Sequence, residues 1–370
     1  MASADGSLNG ALMKAAEGCD LEEVQRLLEA GADATFIDDP PGVWGSCSRK
    51  GPLHVAISHR PWPREDASEA EVAEQFGRWK SILKLLVCAK ADVNAKSAEY
   101  DWRGCGSTRT AFEMVMGAAM KDVELLELFL SAGGDANTKS VRHVHSMRTD
   151  GEAIHYLIHS AVNAADLEVA RALLDARADV DAIDSRHFAN ERGHNQATDE
   201  TALHQACSKP DLAMAALLLA RGADVNLVRR DLELVALDVD SPTDDPRDPE
   251  YVRSTECVPV RETALHLALR RGDADLVVLL VCAGADITCH RKRGGETFSC
   301  EDLCAGNESL LKALQTEWTP ETHRLFPAKV RESVEAALQI ARRQQWPLPE
   351  TVLFRVCALA AGGPTAPSSS

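Results

Sequence analysis

The sequence predicts an all-α solenoid of about six to seven helix pairs, with long finger loops and a C-terminal helical hairpin. Three recurrences predict it. Apolar pairs recur at Leu27/Leu28, Leu86/Val87, Phe129/Leu130, Leu173/Leu174, Leu218/Leu219 and Leu280/Val281. Each is followed, five residues after its second member, by Asp33, Asp92, Asp135, Asp179, Asp224 or Asp286. Thirteen residues before five of these aspartates stand Asp20, Asp122, Asp166, Asp211 and Asp273. Each precedes an apolar helical pattern, where its carboxylate accepts from orphan N–H groups and suits the dipole of a second helix. Twenty residues before three of them stand His159, His204 and His266, in segments that open a first helix.

A helix pair of this size cannot cover its own apolar stripe, so each unit must stack on its neighbours into one elongated core. The residues that repeat also carry a resemblance. Pro52-Leu53-His54-Val55-Ala56 and Gly222-Ala223-Asp224-Val225-Asn226 are similar to the helix opening and the ending of an ankyrin repeat. The resemblance runs over roughly residues 10–316, with a shortened last unit at Thr297 to Leu303 and Asn307 to Leu314 that reads as a cap. It implies a structural role for His54, His159, His204 and His266 and for the six aspartates, and protein–protein recognition as the function. In the Thr-x-Leu-His turn, hydroxyl and imidazole can satisfy backbone groups at the helix start and bridge to the next unit.

An ordinary ankyrin unit repeats every 33 residues or so, yet consecutive aspartates here lie 43 to 62 residues apart. Most of the excess falls in the fingers: Ile37 to Lys50, Lys96 to Thr108, Lys139 to Thr149, Ile183 to Thr198, and the long insertion 227–260. A smaller excess, His59 to Trp79, interrupts the second unit, which lacks the capping aspartate. Long loops on one edge of a rigid scaffold are where binding is usually placed. Lys139, Arg142, His143, His145 and Arg148 make one basic finger, with Arg186, His187, Arg192 and His194 on the next. Asp238, Asp240, Asp244, Asp245, Asp248 and Glu250 make the longest finger acidic, and Pro242, Pro246 and Pro249 discourage regular structure there. Lys90 and Arg177 replace the helix-ending glycine in two units, at about 1 kcal/mol each if the left-handed conformation is kept.

Composition narrows the class. A formal charge of −17 opposes a general affinity for nucleic acid. No apolar run reaches the ~18 to 20 residues that cross a bilayer, the longest lying around Leu276 to Ala285. The start, Met1 to Gly18, lacks a basic segment followed by an apolar one, so no secretion is expected. An odd cysteine count of 11, irregularly spaced, suits free thiols in a reducing compartment. The expected location is the cytoplasm, with the nucleus also open.

The sequence contains no phosphate-cradling Gly-x4-Gly-Lys-Ser/Thr loop, Gly-x-Ser-x-Gly elbow or His-Glu-x2-His helix. The four side chains of Cys289, His290, Cys300 and Cys304 suffice in number for a structural zinc site, but the short Cys-x2-Cys spacing is missing. Cys300 falls near the repeat's histidine position and Cys304 one turn later, which favours core packing. The expectation is no catalytic, cofactor or metal residue. An enzyme with a site between fingers at His143, His187 or His194 is the alternative of another class.

After the repeats, Thr319 and Pro320 open an amphipathic helix marked by Val330, Val334, Ala337, Leu338 and Ala341. Leu348-Pro349-Glu350 announces a second, with Val352, Leu353, Val356 and Leu359 on its apolar side. That second helix resembles the opening of an F-box, and Leu353-x3-Cys357-x3-Ala361 resembles the elongin-binding helix of a suppressor-of-cytokine-signalling box. Either likeness implies a substrate receptor of a cullin-type ubiquitin ligase. A cap over the exposed side of the last repeat is the other reading.

The organisation expected is therefore a flexible segment 1–8, an ankyrin-repeat domain 9–316, a helical hairpin 317–361 and a disordered tail 362–370. The function expected is a non-catalytic, monomeric scaffold that binds a protein through its fingers and a concave face of first helices. Candidate contact residues are Trp44, Tyr100, Trp102, Arg142, His143, His187 and Tyr251, because aromatic and Arg side chains dominate interface energetics.

Overall fold

A computed structural model describes residues 5–38, 47–61, 68–100, 105–118, 122–145, 149–190, 196–209, 211–236, 255–293, 295–304 and 306–316. Trp44, Trp102, His194, Tyr251, the finger tip 237–254 and the whole C-terminal segment from 317 lie outside them, and so do the F-box and suppressor-box likenesses. The chain divides into two compact units, residues 1–179 with 186–191, and residues 180–185 with 192–370.

In the first unit, helices α1 (Asp5–Glu17), α2 (Leu21–Glu29), α3 (Pro52–Ser58), α4 (Glu69–Cys88), α5 (Ala111–Ala118), α6 (Val123–Ser131), α7 (Leu157–Asn163) and α8 (Leu167–Asp175) form successive pairs. First helices pack on first helices and second on second, α3 on α5 and α5 on α7, α4 on α6 and α6 on α8. Between the layers lie Leu27, Leu53, Ile82, Leu86, Phe112, Phe129, Leu157 and Leu173, all buried. The second unit repeats the scheme with α9 (Ala202–Ser208), α10 (Leu212–Ala220), α11 (Ala264–Arg271), α12 (Ala274–Cys282), α13 (Cys300–Cys304) and α14 (Glu308–Leu314).

The expected caps exist. The carboxylates of Asp20, Asp122, Asp166, Asp211 and Asp273 each accept the backbone N–H three residues on. The second unit of the solenoid, which lacks that aspartate, begins its helix early instead. Ser68 caps α4 in a reciprocal pair with Glu71, so much of the excess before Trp79 becomes extra helix rather than loop. Trp79 is fully buried and its indole N–H donates to the Ala56 carbonyl at 2.8 Å.

The expectation of an all-α chain needs correction. The fingers pair as antiparallel strands: β1 (Cys47–Arg49), β2 (Lys96–Tyr100), β3 (Gly106–Thr110), β4 (Lys139–His145) and β5 (Thr149–Tyr156) in the first unit. Strand β6 (Ile183–Asn190) contributes residues to both units, and β7 (Gln196–Thr201), β8 (Val228–Ala236), β9 (Thr255–Thr263), β10 (His290–Arg293) and β11 (Glu296–Ser299) belong to the second. The physical reason is length. A short finger can leave its backbone groups to water, whereas long arms side by side satisfy one another in a ladder. Pairing occurs within hairpins, as β2 with β3 and β8 with β9, and between neighbouring hairpins, as β3 with β4 and β9 with β10.

Successive repeats are tied at the aspartate turns. Asp92, Asp135, Asp224 and Asp286 accept through Oδ1 from the N–H two residues on, closing the turn. The side chain at that second residue then reaches forward. Asn94 accepts from the Asp135 N–H and donates to the Gly133 carbonyl, and Asn137 does the same to Asp179 and Arg177. In the second unit Asp181 accepts from the Asp224 N–H, and Asn226 binds the Asp286 N–H and the Gly284 carbonyl.

Lys90 and Arg177 have φ of 64° and 65°, the left-handed region in which Gly31, Gly133, Gly222 and Gly284 sit at equivalent helix ends. Lys90→Gly should therefore stabilise the protein by about 1 kcal/mol. Asn226→Ala, which removes both forward bonds, should cost about 1–2 kcal/mol. Urea denaturation of the two variants against wild type checks both signs.

Candidate functional site

Strand alternation sorts the second unit's finger residues onto two faces. On one face Arg229 bonds Glu200 at 3.1 Å and Glu262 at 2.9 Å, and also pairs with Asp231 at 2.6 Å. Arg291 and Arg270 each add a 2.9 Å contact to the opposite oxygen of Glu262, whose side chain is 0% exposed. Negative and positive groups thus alternate across the strands. Burial opposes ionisation of Glu262, but the hydrogen bond from Arg291 and the charges of Arg270, Arg291 and Arg229 outweigh it and hold the carboxyl below the ordinary 4.5.

The other face is not balanced. Asp199 stands directly opposite Arg230, Arg230 opposite Arg261, and Arg261 opposite Lys292, a row across four adjacent strands with three cations in sequence. Asp199 accepts from the Ser185 hydroxyl at 2.8 Å. Like charges directly opposite on neighbouring strands repel. Arg230, Arg261 and Lys292 are exposed and form no ion pair among the described residues. They line a groove of about 750 Å³ whose wall also carries Ile183 and Val228, 50% and 52% exposed.

The helix openings form the groove's floor. Thr201 donates to His204 Nδ1 from both its N–H and its hydroxyl, and His204 Nε2 donates to the Leu227 carbonyl at 3.0 Å. In the first unit His54 makes the same pair of bonds, to the Gly51 N–H and the Ala95 carbonyl. His266 takes the Thr263 N–H and hydroxyl on Nδ1, which leaves its proton on Nε2. That Nε2 faces sulfur instead of a carbonyl, 3.8 Å from Cys289 and 3.9 Å from Cys300. Donation from the Cys300 thiol and from His266 favours the Cys289 thiolate over its burial, so Cys289 ionises well below an ordinary thiol, while Cys300 is pushed up.

His266, Cys289 and Cys300 place their ligand atoms within 4.8 Å of one another. The donor set does not fit a resident zinc. A metal-bound imidazole uses its free lone pair and donates from its other nitrogen, whereas His266 spends its Nδ1 lone pair on the Thr263 N–H and holds its proton towards the sulfurs. His290 is exposed, and Cys304 donates to the Cys300 carbonyl at 3.3 Å, so neither joins the cluster. Cys300 does not hold the repeat's histidine position. Asp302 does, bonding Ser299 reciprocally as His266 bonds Thr263. Glu113 fills the same place in the third repeat, against Thr110, with its pKa raised chiefly by burial.

Of the expected contact residues, Tyr100 and His143 come together in the first unit. Their rings lie 6.1 Å apart, the Tyr100 hydroxyl bonds Thr108 at 2.7 Å, and His143 lies 3.9 Å from Glu152. Arg142 is exposed on β4 opposite Ala153, and His187 is exposed on β6. His159 is fully buried beside Tyr156 and His155. The cation row was not foreseen, although Arg230, Arg261 and Lys292 hold fixed offsets from the repeat landmarks.

Stacked helix pairs with projecting hairpins define a repeat scaffold. Residues 198–230 and 261–292 match the family model of the ankyrin repeat, and the chain is an ankyrin-repeat protein. Among solved structures it is similar to the ankyrin repeat domain of Bcl-3, a unique member of the IkappaB protein family, at 20% identity and a TM-score of 0.47, covering 83% of this chain and 98% of that one. It is also similar to the human ASB11 ankyrin repeat domain, at 19% identity and a TM-score of 0.41, covering 84% and 98%. No curated protein matches. Among the described residues no helix is long and apolar enough to cross a membrane.

Glu262→Gln should destabilise the protein by roughly 3–5 kcal/mol at neutral pH, because Arg291 then stays buried without its anion. The folded carboxyl has the lower pKa, so its contribution is complete above about 4.5 and is lost as pH falls through the depressed value. Urea melts should show the gap between wild type and variant narrowing in acid.

Proposed function

We propose that the protein is a non-catalytic interaction module whose second unit binds an extended acidic segment of a partner protein along the β7–β10 face. The observation that carries this reading is the row Arg230, Arg261 and Lys292, three adjacent cations without counterions among the described residues. The neighbouring face pairs every charge it buries, so the imbalance is confined to the side that lines the groove. Ile183 and Val228 beside the row add apolar contact, which suits carboxylates and aliphatic side chains presented together, as a peptide presents them. A free polyanion offers only the first. The helices beneath are held by buried bonds, so little ordering accompanies binding.

Fluorescence anisotropy with a labelled peptide of Glu and Asp around a central Leu tests the reading. Binding should weaken as salt rises, and Arg261→Glu or Lys292→Glu should each lower affinity about tenfold or more. Equal binding of a basic peptide, or unchanged affinity in both variants, would overturn it.

A further inference from the structure

We propose that Cys289 and Cys300 are a peroxide-oxidisable thiol pair that closes to a cross-strand disulfide at the base of the β10–β11 hairpin. The inference stands on geometry independent of the cation row. His290 pairs with Ser299, and one step further from the turn the same register sets Cys289 opposite Cys300. Residues directly opposite in an antiparallel ladder have Cα atoms about 4.5–5.5 Å apart, within the span a disulfide accepts. Both sulfurs are on the same side, since both contact His266 Nε2.

The two thiols differ as an attacking and a resolving cysteine must. Cys289 is half-exposed on the groove wall, where a small hydroperoxide can reach it, while Cys300 is 1% exposed behind it. In the thiol form Cys289 donates to the Asp286 carbonyl at 2.8 Å, and the ionised sulfur accepts from His266 and Cys300 instead. His266 is a positioning residue, fixed by Thr263. The Cys289 thiolate attacks the O–O bond of hydrogen peroxide. An S–O bond forms, hydroxide leaves, takes a proton and becomes water. Cys300 sulfur then attacks the sulfenic sulfur, the S–S bond forms, the S–O bond breaks, and the hydroxide leaves with the Cys300 proton as a second water. The two thiols lose two electrons and the peroxide gains them. In a reducing compartment thiol exchange restores the pair.

The test uses the full chain with limiting hydrogen peroxide, then alkylation of remaining thiols and peptide mapping. The Cys289–Cys300 linked peptide should accumulate several-fold faster than oxidation at Cys88, which is exposed without such a partner. In Cys300→Ser, Cys289 should instead be trapped as a dimedone adduct, and Cys289→Ser should form neither product. Oxidation of Cys88 at an equal or greater rate in wild-type protein would overturn the proposal without any variant. So would one equivalent of zinc, measured by atomic emission, that shields both thiols and is released by chelator.

Discussion

Every other feature of the structure depends on the bond that runs forward from one repeat turn to the next. A single helix pair buries one side of each helix and leaves the other open, so its stability is set by its neighbour. Neighbours can share apolar surface in several registers. The side chain two residues after each landmark aspartate selects one of them, because only one placement lets Asn94, Asn137 or Asn226 meet the next aspartate's N–H and a helix-end carbonyl together. Asp181 supplies the acceptor half of this device and cannot donate to a carbonyl. Thr35 turns back on Asp33, and at that end Asn9 reaches the Asp33 N–H.

The same turn fixes where each finger begins. Strands β2, β4, β6, β8 and β10 all start four residues after Asp92, Asp135, Asp179, Asp224 and Asp286. Equivalent offsets therefore fall in equivalent places. Arg229 and Arg291 stand five residues after their aspartates and enter the buried network, while Arg230 and Lys292 stand six after and face the groove. Glu200 and Glu262 immediately precede the capping threonines and receive those arginines. A shift of one residue would exchange the two sets, placing unpaired cations inside and paired ones outside. Register is held by the landmark turn at one end and by the Thr-His opening at the other.

This accounts for what could be read from the chain. Repetition of Leu-Leu-x4-Asp and of the capping aspartates made the helix pairs legible, because those signals are local and recur. The strands were not legible. Segments such as Lys-Ser-Val-Arg-His-Val-His carry little apolar alternation, and their pairing comes from partners more than a dozen residues away. Glu113 and Asp302 were missed because only histidine was sought at the helix opening, although a carboxylate serves the backbone N–H equally well. The cation row required a partner register that no single segment contains. His290 and Cys304 were grouped with Cys289 and Cys300 by nearness in sequence, whereas hairpin geometry substitutes His266, more than 20 residues earlier.

The thiol cluster arises from the same repeat logic. In two other repeats the histidine Nε2 donates to the carbonyl three residues after the landmark aspartate, of Ala95 after Asp92 and of Leu227 after Asp224. The corresponding residue after Asp286 is Cys289, and there the imidazole proton is directed at sulfur. A carbonyl is chemically inert and merely holds the loop, while a sulfur in the same position keeps the contact and acquires a second protonation state. Cys300 occupies the small-residue position taken by Ala202 and Ala264 at equivalent helix starts, which places its sulfur against the first. Two substitutions at fixed repeat positions thus convert a structural hydrogen bond into a paired thiol site, without altering the helices or the turn that support it.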